Sequence, residues 1–511
     1  LLRRFAKANA MHSPDLAMME IQEFWFGRKN EMNIAPGRNG HDLDSLLDGL
    51  PADFLIDDDE AMARFSRDWS GDHFAIPRAV ARPRSTQELS VFMRRCHERR
   101  IRVAPQGGLT GLVAGAVAAP DRGEVVVSLE RMARVRSVNP IDYAMIVEAG
   151  CVLETAKRAA EAEQCFLPIT FGAQGSCQVG GNVATNAGGF NVLRYGMTRD
   201  LVLGLEVVLA DGRVWNGLRI LRKDNRGYDL KQMFIGSEGT LGIVTAIAFK
   251  LFPKPTQVET AWVGLRSVED AMAFYARARR SCSDLLSAFE LILRDGLEVA
   301  LRARADLPDP LADVYPVYVL LELSASGGVD LSGLMESALA DAGDIIVDGV
   351  IAKSLAQTER MWLYREAMVE AQGNGGRYLR TDVSIPISTL ANFLDEALAK
   401  LRLGLPHCQP VAYGHVGDGN VHLNVAPPLG FPPDRLEALF AEAEAIIFSA
   451  LDRFGGSISA EHGIGRLKQE AFLSRIDEVS LDLANQLKKA LDPHSILGMG
   501  RILPDDSNPR L

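Results

Sequence analysis

The sequence predicts a soluble chain of mixed helix and strand, divided into two or three domains, and three observations carry that expectation. Its length, 511 residues, exceeds what one hydrophobic core usually serves. The first half holds two glycine clusters, each fed by a run of strand-forming residues. Beyond residue 255 strand-like runs alternate with amphipathic helical patterns and no glycine-rich loop intervenes, which reads as an α/β layer. Apolar residues make up 47% and charged residues 24%, the proportions of a globular protein. No apolar run reaches the roughly eighteen residues of a membrane span. A net charge of −11 argues against nucleic acid or anionic lipid as a partner, so a small anionic substrate would need a local basic pocket.

Residues 1–52 read as an N-terminal extension and lead-in. The stretch from Leu1 to Ser13 carries Arg3, Arg4 and Lys7 and no acid, as a transit peptide would, but has no clear apolar region or cleavage site. We expect upstream or appended sequence there, with Met18, Met19 or Met32 as candidate starts. Next, 84–100 is expected to be a helix: Ser85 and Glu88 have capping-box spacing, and Leu89, Phe92, Met93 and Cys96 share one face. Strands are expected at 101–104, 125–129 and 145–147, and a helix at 154–163. The runs 201–209 and 213–215 flank Asp211-Gly212, a hairpin signal of the primed-turn kind. One long apolar strand, 241–252, is stopped by Pro253 and Pro255 and closes a domain running from 53 to 255. Strands at 261–265, 286–293 and 317–323, with a helix at 267–280, open a second domain that extends to 454. The segment 455–511 ends in one helix, from about Leu481, and a turn. Cys96, Cys151, Cys165, Cys177, Cys282 and Cys408 are scattered without a CxxC pair, which fits reduced, buried thiols. A cytoplasmic protein is therefore expected, the mitochondrial matrix being the less favoured compartment.

The glycine clusters are Gly107-Gly108-Leu109-Thr110-Gly111 and the run GAQGSCQVGGNVATNAGG from Gly172 to Gly189. Glycine lets backbone N–H groups approach phosphate oxygens and turn together toward them. Ser176, Asn182, Thr185 and Asn186 add short polar side chains. Two such clusters point to a large phosphate-bearing cofactor. Neither fits a GxGxxG dinucleotide fingerprint or a GxxxxGK[ST] phosphate loop.

The strings PQGGLTG, GSCQVGGNVATNAGG, LRYG, VLGLEVVLADG, RKDNRGYDLKQMFIGSEGTLGIVT, GHVGDGNVHLN and SAEHGIG together resemble the D-2-hydroxyglutarate dehydrogenase branch of the vanillyl-alcohol-oxidase-like flavoproteins. D-lactate dehydrogenases and the flavin subunit of glycolate oxidase are its neighbours, and the likeness runs from about Ile76 to about Leu503. It implies an α+β fold: a two-subdomain FAD-binding domain, an α/β substrate-cap domain and a C-terminal helical segment folding back on the flavin. It implies cofactor contacts from Pro105, Gln106, Gly107, Gly108, Leu109, Thr110 and Gly111. Further contacts would come from Gly175, Ser176, Gly180, Gly181, Asn182, Thr185, Asn186, Gly188, Gly189, Glu238, Gly242 and Ile243. Leu109 stands mid-loop with no His, Cys or Tyr beside it, so the FAD is expected to be non-covalent.

His415 and His422 bracket Gly417-Asp418-Gly419-Asn420, a turn able to bring both imidazoles together, and Glu461-His462 follows later. Such ligands suit Zn²⁺, Mn²⁺ or Fe²⁺, although on spacing alone structural histidines are the favoured reading. The resemblance implies that His415, His422 and Glu461 ligate a divalent metal, with zinc the first candidate. It also implies that His462 is the active-site base and that Asn424 contacts substrate. Oxidising a 2-hydroxy acid requires the hydroxyl proton to leave as hydride leaves C2; a Lewis acid and a neutral histidine suit that step.

Arg365 matches the family's arginine for a substrate carboxylate, and Arg380 stands where the branch has a lysine. Val369 stands where it has a threonine, and Gly498-Met499-Gly500-Arg501 where relatives have Asn-Pro-Gly-Lys. D-2-hydroxyglutarate is the first expectation, with D-lactate, D-malate or glycolate as alternatives. A flavin-free, metal-binding scaffold is the rival from another class. Electron-transfer flavoprotein or a quinone is the expected electron acceptor, and a homodimer the expected assembly.

Overall fold

The structure is a computed structural model and describes residues 43, 45–121, 123–374 and 377–504. The expectations for Leu1–Ser13, Met18, Met19 and Met32 lie outside the described residues. The chain divides into two compact units, Leu1–Asp48 and Gly49–Leu511, and the second holds all the sheets.

The first half is built on two sheets. In one, β2 (Ala79–Ala81), β4 (Glu124–Ser128) and β3 (Arg102–Gln106) run parallel, with β1 (Leu55–Ile56) antiparallel at one edge. Parallel strands need a crossover, and α1 (Thr86–Arg99) supplies it between β2 and β3. Its Ser85 cap accepts from Glu88 N as the sequence predicts, and its last carbonyls are met by left-handed Arg100. The second sheet is antiparallel, in the order β5 (Val135–Asn139), β6 (Ala144–Glu148), β10 (Ile243–Lys250), β8 (Val202–Val208), β9 (Val214–Asn216). Helix α2 (Leu153–Ala162) leads to β7 (Cys165–Phe166), and α3 (Val179–Ala184) carries the middle of the second glycine cluster.

Two details differ from the sequence expectation. The 208–214 hairpin forms, but only Gly212 has positive φ, and Leu209 N bonds to Arg213 O. The turn is thus a three-residue loop ending in left-handed glycine, not a primed two-residue turn. The strand expected over 241–252 is broken at Leu251, whose N–H goes to Tyr143 O. Phe252–Pro253 (β11) then turns aside to pair with β7.

The second half is one seven-stranded sheet. Its order is β15 (Asp348–Ile351), β12 (Gln257–Leu265), β14 (Val317–Ala325), β13 (Leu286–Leu293), β17 (Gln409–Gly414), β18 (Asn420–Ala426), β16 (Val383–Ser384). Every pairing in it is antiparallel, so the strand–helix alternation yields a helix-backed antiparallel layer. Because side chains alternate along a strand, Val263, Phe289, Leu291, Leu321, Leu423 and Val425 face one side. They pack there with α4 (Val268–Cys282), α6 (Leu331–Asp341), α8 (Leu390–Gly404) and α9 (Leu436–Arg453). The intervening residues Trp262, Ile292, Tyr318, Leu320 and Tyr413 face the other side, under α5 (Arg294–Ala303) and α7 (Leu355–Asn374). Burial on both faces explains why β13 reads as an almost unbroken apolar run.

The tail is more than a helix and a turn. Helix α10 (Glu478–Leu491) begins slightly before the expected Leu481. After it, Leu497 bridges in parallel to Val103, with Val103 N donating to Ile496 O and Gly498 N to Val103 O. The C-terminal segment thereby covers the free edge of β3, at the strand that delivers the first glycine loop.

Candidate active site

The two glycine clusters meet. A Cβ added to Gly108 would lie 2.2 Å from Ser176 O, so that approach needs glycine, while one on Gly107 would make ordinary contact with Gly181 Cα at 3.6 Å. Leu109 adopts φ +58°, and its carbonyl accepts from Trp69 N at 2.8 Å. Buried Gln106 holds the loop from behind, donating to Phe65 O and Ala116 O. Gly180 packs against Ala149, while Gly111 and Gly181 have open space where a Cβ would be. Thr185 Oγ1 bonds back to Gly181 O and Asn186 Oδ1 accepts from Arg199 N, so these two polar groups brace the cradle. Gly175 and Ser176 lie on its rim and Asn182 is buried within it. Gly242 and Ile243 are buried by packing and show no open surface.

Glu238, at φ +53°, accepts from Ile464 N at 2.7 Å and Gly465 N at 2.8 Å, pinning the C-terminal segment to this half. A non-glycine residue in that conformation is strained, and such strain collects at functional sites. Arg501 is 2% exposed, and its Nε and Nη2 have no hydrogen-bond partner. A buried guanidinium with idle donors calls for an acceptor. Open glycines and an unsatisfied arginine fit a bound, acceptor-rich cofactor such as FAD.

The chemistry-bearing residues of the second half share one sheet face. Glu290 on β13, Tyr413 on β17, and His422 and Asn424 on β18 all occupy positions that alternate with the apolar ones. Tyr413 pairs across the hairpin with His422, which brings His415 and His422 to a ring separation of 5.7 Å. Ligand atoms of His415, His422 and Glu461 lie within 4.8 Å of one another, a set that fits a divalent transition metal. Glu461 reaches it from a loop, with Oε1 accepting from Gly189 N at 2.5 Å. A Cβ on Gly188 would collide with that carboxylate, so the end of the second glycine cluster is the seam between the two halves.

Asp382, His422 and His462 form a second close group. Asp382 is already saturated with donors: Glu461 N at 2.7 Å, His462 N at 2.9 Å and Asn420 Nδ2 at 2.8 Å. It lies 3.7 Å from His422 Nδ1 and 3.8 Å from His462 Nδ1, as a fixed negative charge between two imidazoles. Burial opposes its ionisation, but His462, His422, Lys468 and the Glu461 N–H hold it far below the carboxylate range. Burial holds His462 below the ordinary histidine value against the pull of Asp382, so this imidazole is neutral at pH 7.

Arg365 is 3% exposed. Its Nε donates to Glu290 Oε2 at 2.8 Å, and its guanidinium lies 4.5 Å from the centre of the Tyr413 ring and 5.5 Å from that of Phe190. Its two terminal nitrogens make no hydrogen bond to a described residue. Arg380 sits farther out, donating to Gln372 O at 3.2 Å, 3.9 Å from Asp72 and 5.9 Å from the Trp69 ring centre. Val369, one turn after Arg365, is 40% exposed. Asn424 does not offer a free amide: it accepts from Thr381 N and donates to Gln372 Oε1 and Tyr413 OH. The structure therefore gathers His415, His422, Glu461, His462 and Arg365 into one cluster and puts Arg380 at its mouth. Sequence reasoning missed Glu290, Asp382, Phe190 and the contacts of Arg380 with Trp69 and Asp72. For Glu290 the signal was present, a lone acid in the apolar run LSAFELIL.

Comparison with known proteins agrees with this architecture. Residues 77–217 match the family model described as FAD binding domain, and residues 254–502 that described as FAD linked oxidases, C-terminal domain. The chain is 39% identical over 454 residues to the mitochondrial D-2-hydroxyglutarate dehydrogenase of Bos taurus, covering 88% of this chain and 81% of that protein. It is 36% identical over 468 residues to the D-2-hydroxyglutarate dehydrogenase of Xanthomonas citri pv. viticola, covering 91% and 97%. Among solved structures, p-cresol methylhydroxylase superposes with a TM-score of 0.73 at 18% identity, covering 94% of this chain and 99% of that one. An alkyldihydroxyacetonephosphate synthase gives 0.70 at 16% identity, covering 92% and 87%. These likenesses show the vanillyl-alcohol-oxidase type of fold expected from the sequence. The chain belongs to the D-2-hydroxyglutarate dehydrogenase family of FAD-linked oxidoreductases.

Proposed function

We propose that this FAD-dependent dehydrogenase oxidises D-2-hydroxyglutarate to its 2-oxo acid, with a divalent metal, zinc first, held by His415, His422 and Glu461. The observation that carries the reading is the convergence of a guanidinium with two unbonded nitrogens, the His462 imidazole and a three-ligand cluster at the seam with the glycine cradle. When bound, FAD supplies the hydride acceptor and the metal ion a Lewis acid for the substrate hydroxyl. Arg365 receives a substrate carboxylate on its two terminal nitrogens, a pairing the planar guanidinium favours. His462 accepts the hydroxyl proton, for which its depressed basicity leaves it free at neutral pH. Asp382 orients it through the 461–462 backbone and stabilises the charge that develops. Arg380 takes the distal carboxylate, and Asn424 braces the segment that carries Arg380 through Thr381 N. FAD is held non-covalently, and an electron-transfer flavoprotein reoxidises it, with a quinone as the other source of an acceptor. Six cysteines without a disulfide fit a reducing compartment, the cytoplasm.

His462→Ala tests the assignment of the base. The purified variant should keep its flavin spectrum and lose flavin reduction by substrate about 10²–10⁴-fold. Reduction at the normal rate would remove His462 from the mechanism.

A further inference from the structure

Glu290 has no place in the chemistry just described, yet it touches two separate parts of it. It lies mid-way along β13, whose eight residues are all buried, and projects toward the face that carries the site. Oε2 accepts from Arg365 Nε at 2.8 Å, and Oε1 meets His415 Nδ1. Neither the Arg365 nor the His415 side chain makes another hydrogen bond among the described residues. A carboxylate offers only acceptors, so His415 must carry hydrogen on Nδ1, which leaves the Nε2 lone pair available for a metal. The same carboxylate fixes the plane of the Arg365 guanidinium by its inner edge and leaves the outer nitrogens to a ligand.

We propose that Glu290 is a positioning residue that joins metal binding to the grip on the substrate carboxylate, holding the ligand His415 on one oxygen and the clamp Arg365 on the other. The inference rests on the assignment of His415 as metal ligand and Arg365 as clamp. Both contacts need an acceptor, and an amide has one. In Glu290→Gln, an amide oxygen turned to Arg365 sets NH₂ against His415 Nδ1, which must then offer its lone pair there and carry hydrogen on Nε2, closing the metal side. Turned round, the amide sets NH₂ against the Arg365 Nε–H, two donors face to face.

The test is equilibrium dialysis of FAD-loaded protein against Zn²⁺, with KM for D-2-hydroxyglutarate measured at saturating Zn²⁺. Glu290→Gln should keep the flavin spectrum, bind Zn²⁺ about 10–100-fold more weakly and show a raised KM even when metal-loaded. Glu290→Asp, which retains two acceptors, should fall between wild type and Glu290→Gln in Zn²⁺ affinity, and it serves if the amide variant does not fold. Equal Zn²⁺ affinity in wild type and either variant overturns the role of Glu290. Failure of wild type to bind one Zn²⁺ that His415→Ala abolishes would instead remove the metal assignment on which the inference stands.

Discussion

Carboxylates buried in this protein are met by specific partners, and those partners sort them into distinct tasks. Burial alone would raise the pKa of Glu290, but its contacts with His415 and Arg365 hold it below the carboxylate range. Glu322, half-buried and given only the Trp362, Ser287 and Thr260 donors, is pushed up instead by desolvation. Cations placed beside one and withheld from the other make the difference. Glu124, fully buried at the inner sheet of the first half, has Arg466 of the C-terminal segment as its cation, at 2.8 Å. Arg466 also bonds to Ala114 O and Val117 O. Arg466→Ala would strip buried Glu124 of this ion-pair partner, a loss of about 3–5 kcal/mol. Urea denaturation of the FAD-loaded variant should register it as a lowered midpoint at unchanged slope, and an unshifted midpoint would contradict the argument.

At the scale of elements, the glycine loops proposed to hold the cofactor approach each other as closely as the backbone allows. Gly108 is the tightest contact, so Gly108→Ala should force the 107–111 loop away from Ser176 and Cys177. The variant should purify with substoichiometric FAD, read from the ratio of visible to ultraviolet absorbance, whereas full occupancy would show that the approach is unnecessary. Both loops were legible in the sequence because glycine density is a local signal. So were helix α1 with its Ser85 cap, and the 415–422 hairpin that pairs two histidines. Asp382 was not legible, because what makes it functional are backbone N–H groups about 80 residues away and Asn420 38 residues away. The parallel bridge of Leu497 to Val103 escaped notice for the same reason: nothing local in the tail distinguishes a covering strand from a turn. The strand expected over 241–252 failed at Leu251 because tertiary pairing with β7 outweighs a continuous apolar pattern.

On the scale of the whole molecule, an acidic chain of net charge −11 keeps a buried Arg365 beside His415 through Glu290 and carries Arg380 nearer the surface. That arrangement draws an anionic substrate to one place on a surface that otherwise repels it. The seam at Gly188, Gly189 and Glu461 then sets the His415–His422–Glu461 cluster against the end of the second glycine cluster, the juxtaposition the proposed function uses. The anaerobic absorbance of the flavin tests this union most directly. Purified protein is mixed with D-2-hydroxyglutarate, D-malate and D-lactate and with the L-enantiomer of each, before and after chelation. The account predicts rapid bleaching by D-2-hydroxyglutarate, no bleaching by its L-enantiomer, loss of the response with chelator and its return with Zn²⁺. Yellow, metal-replete protein that none of the D-acids bleaches would contradict it.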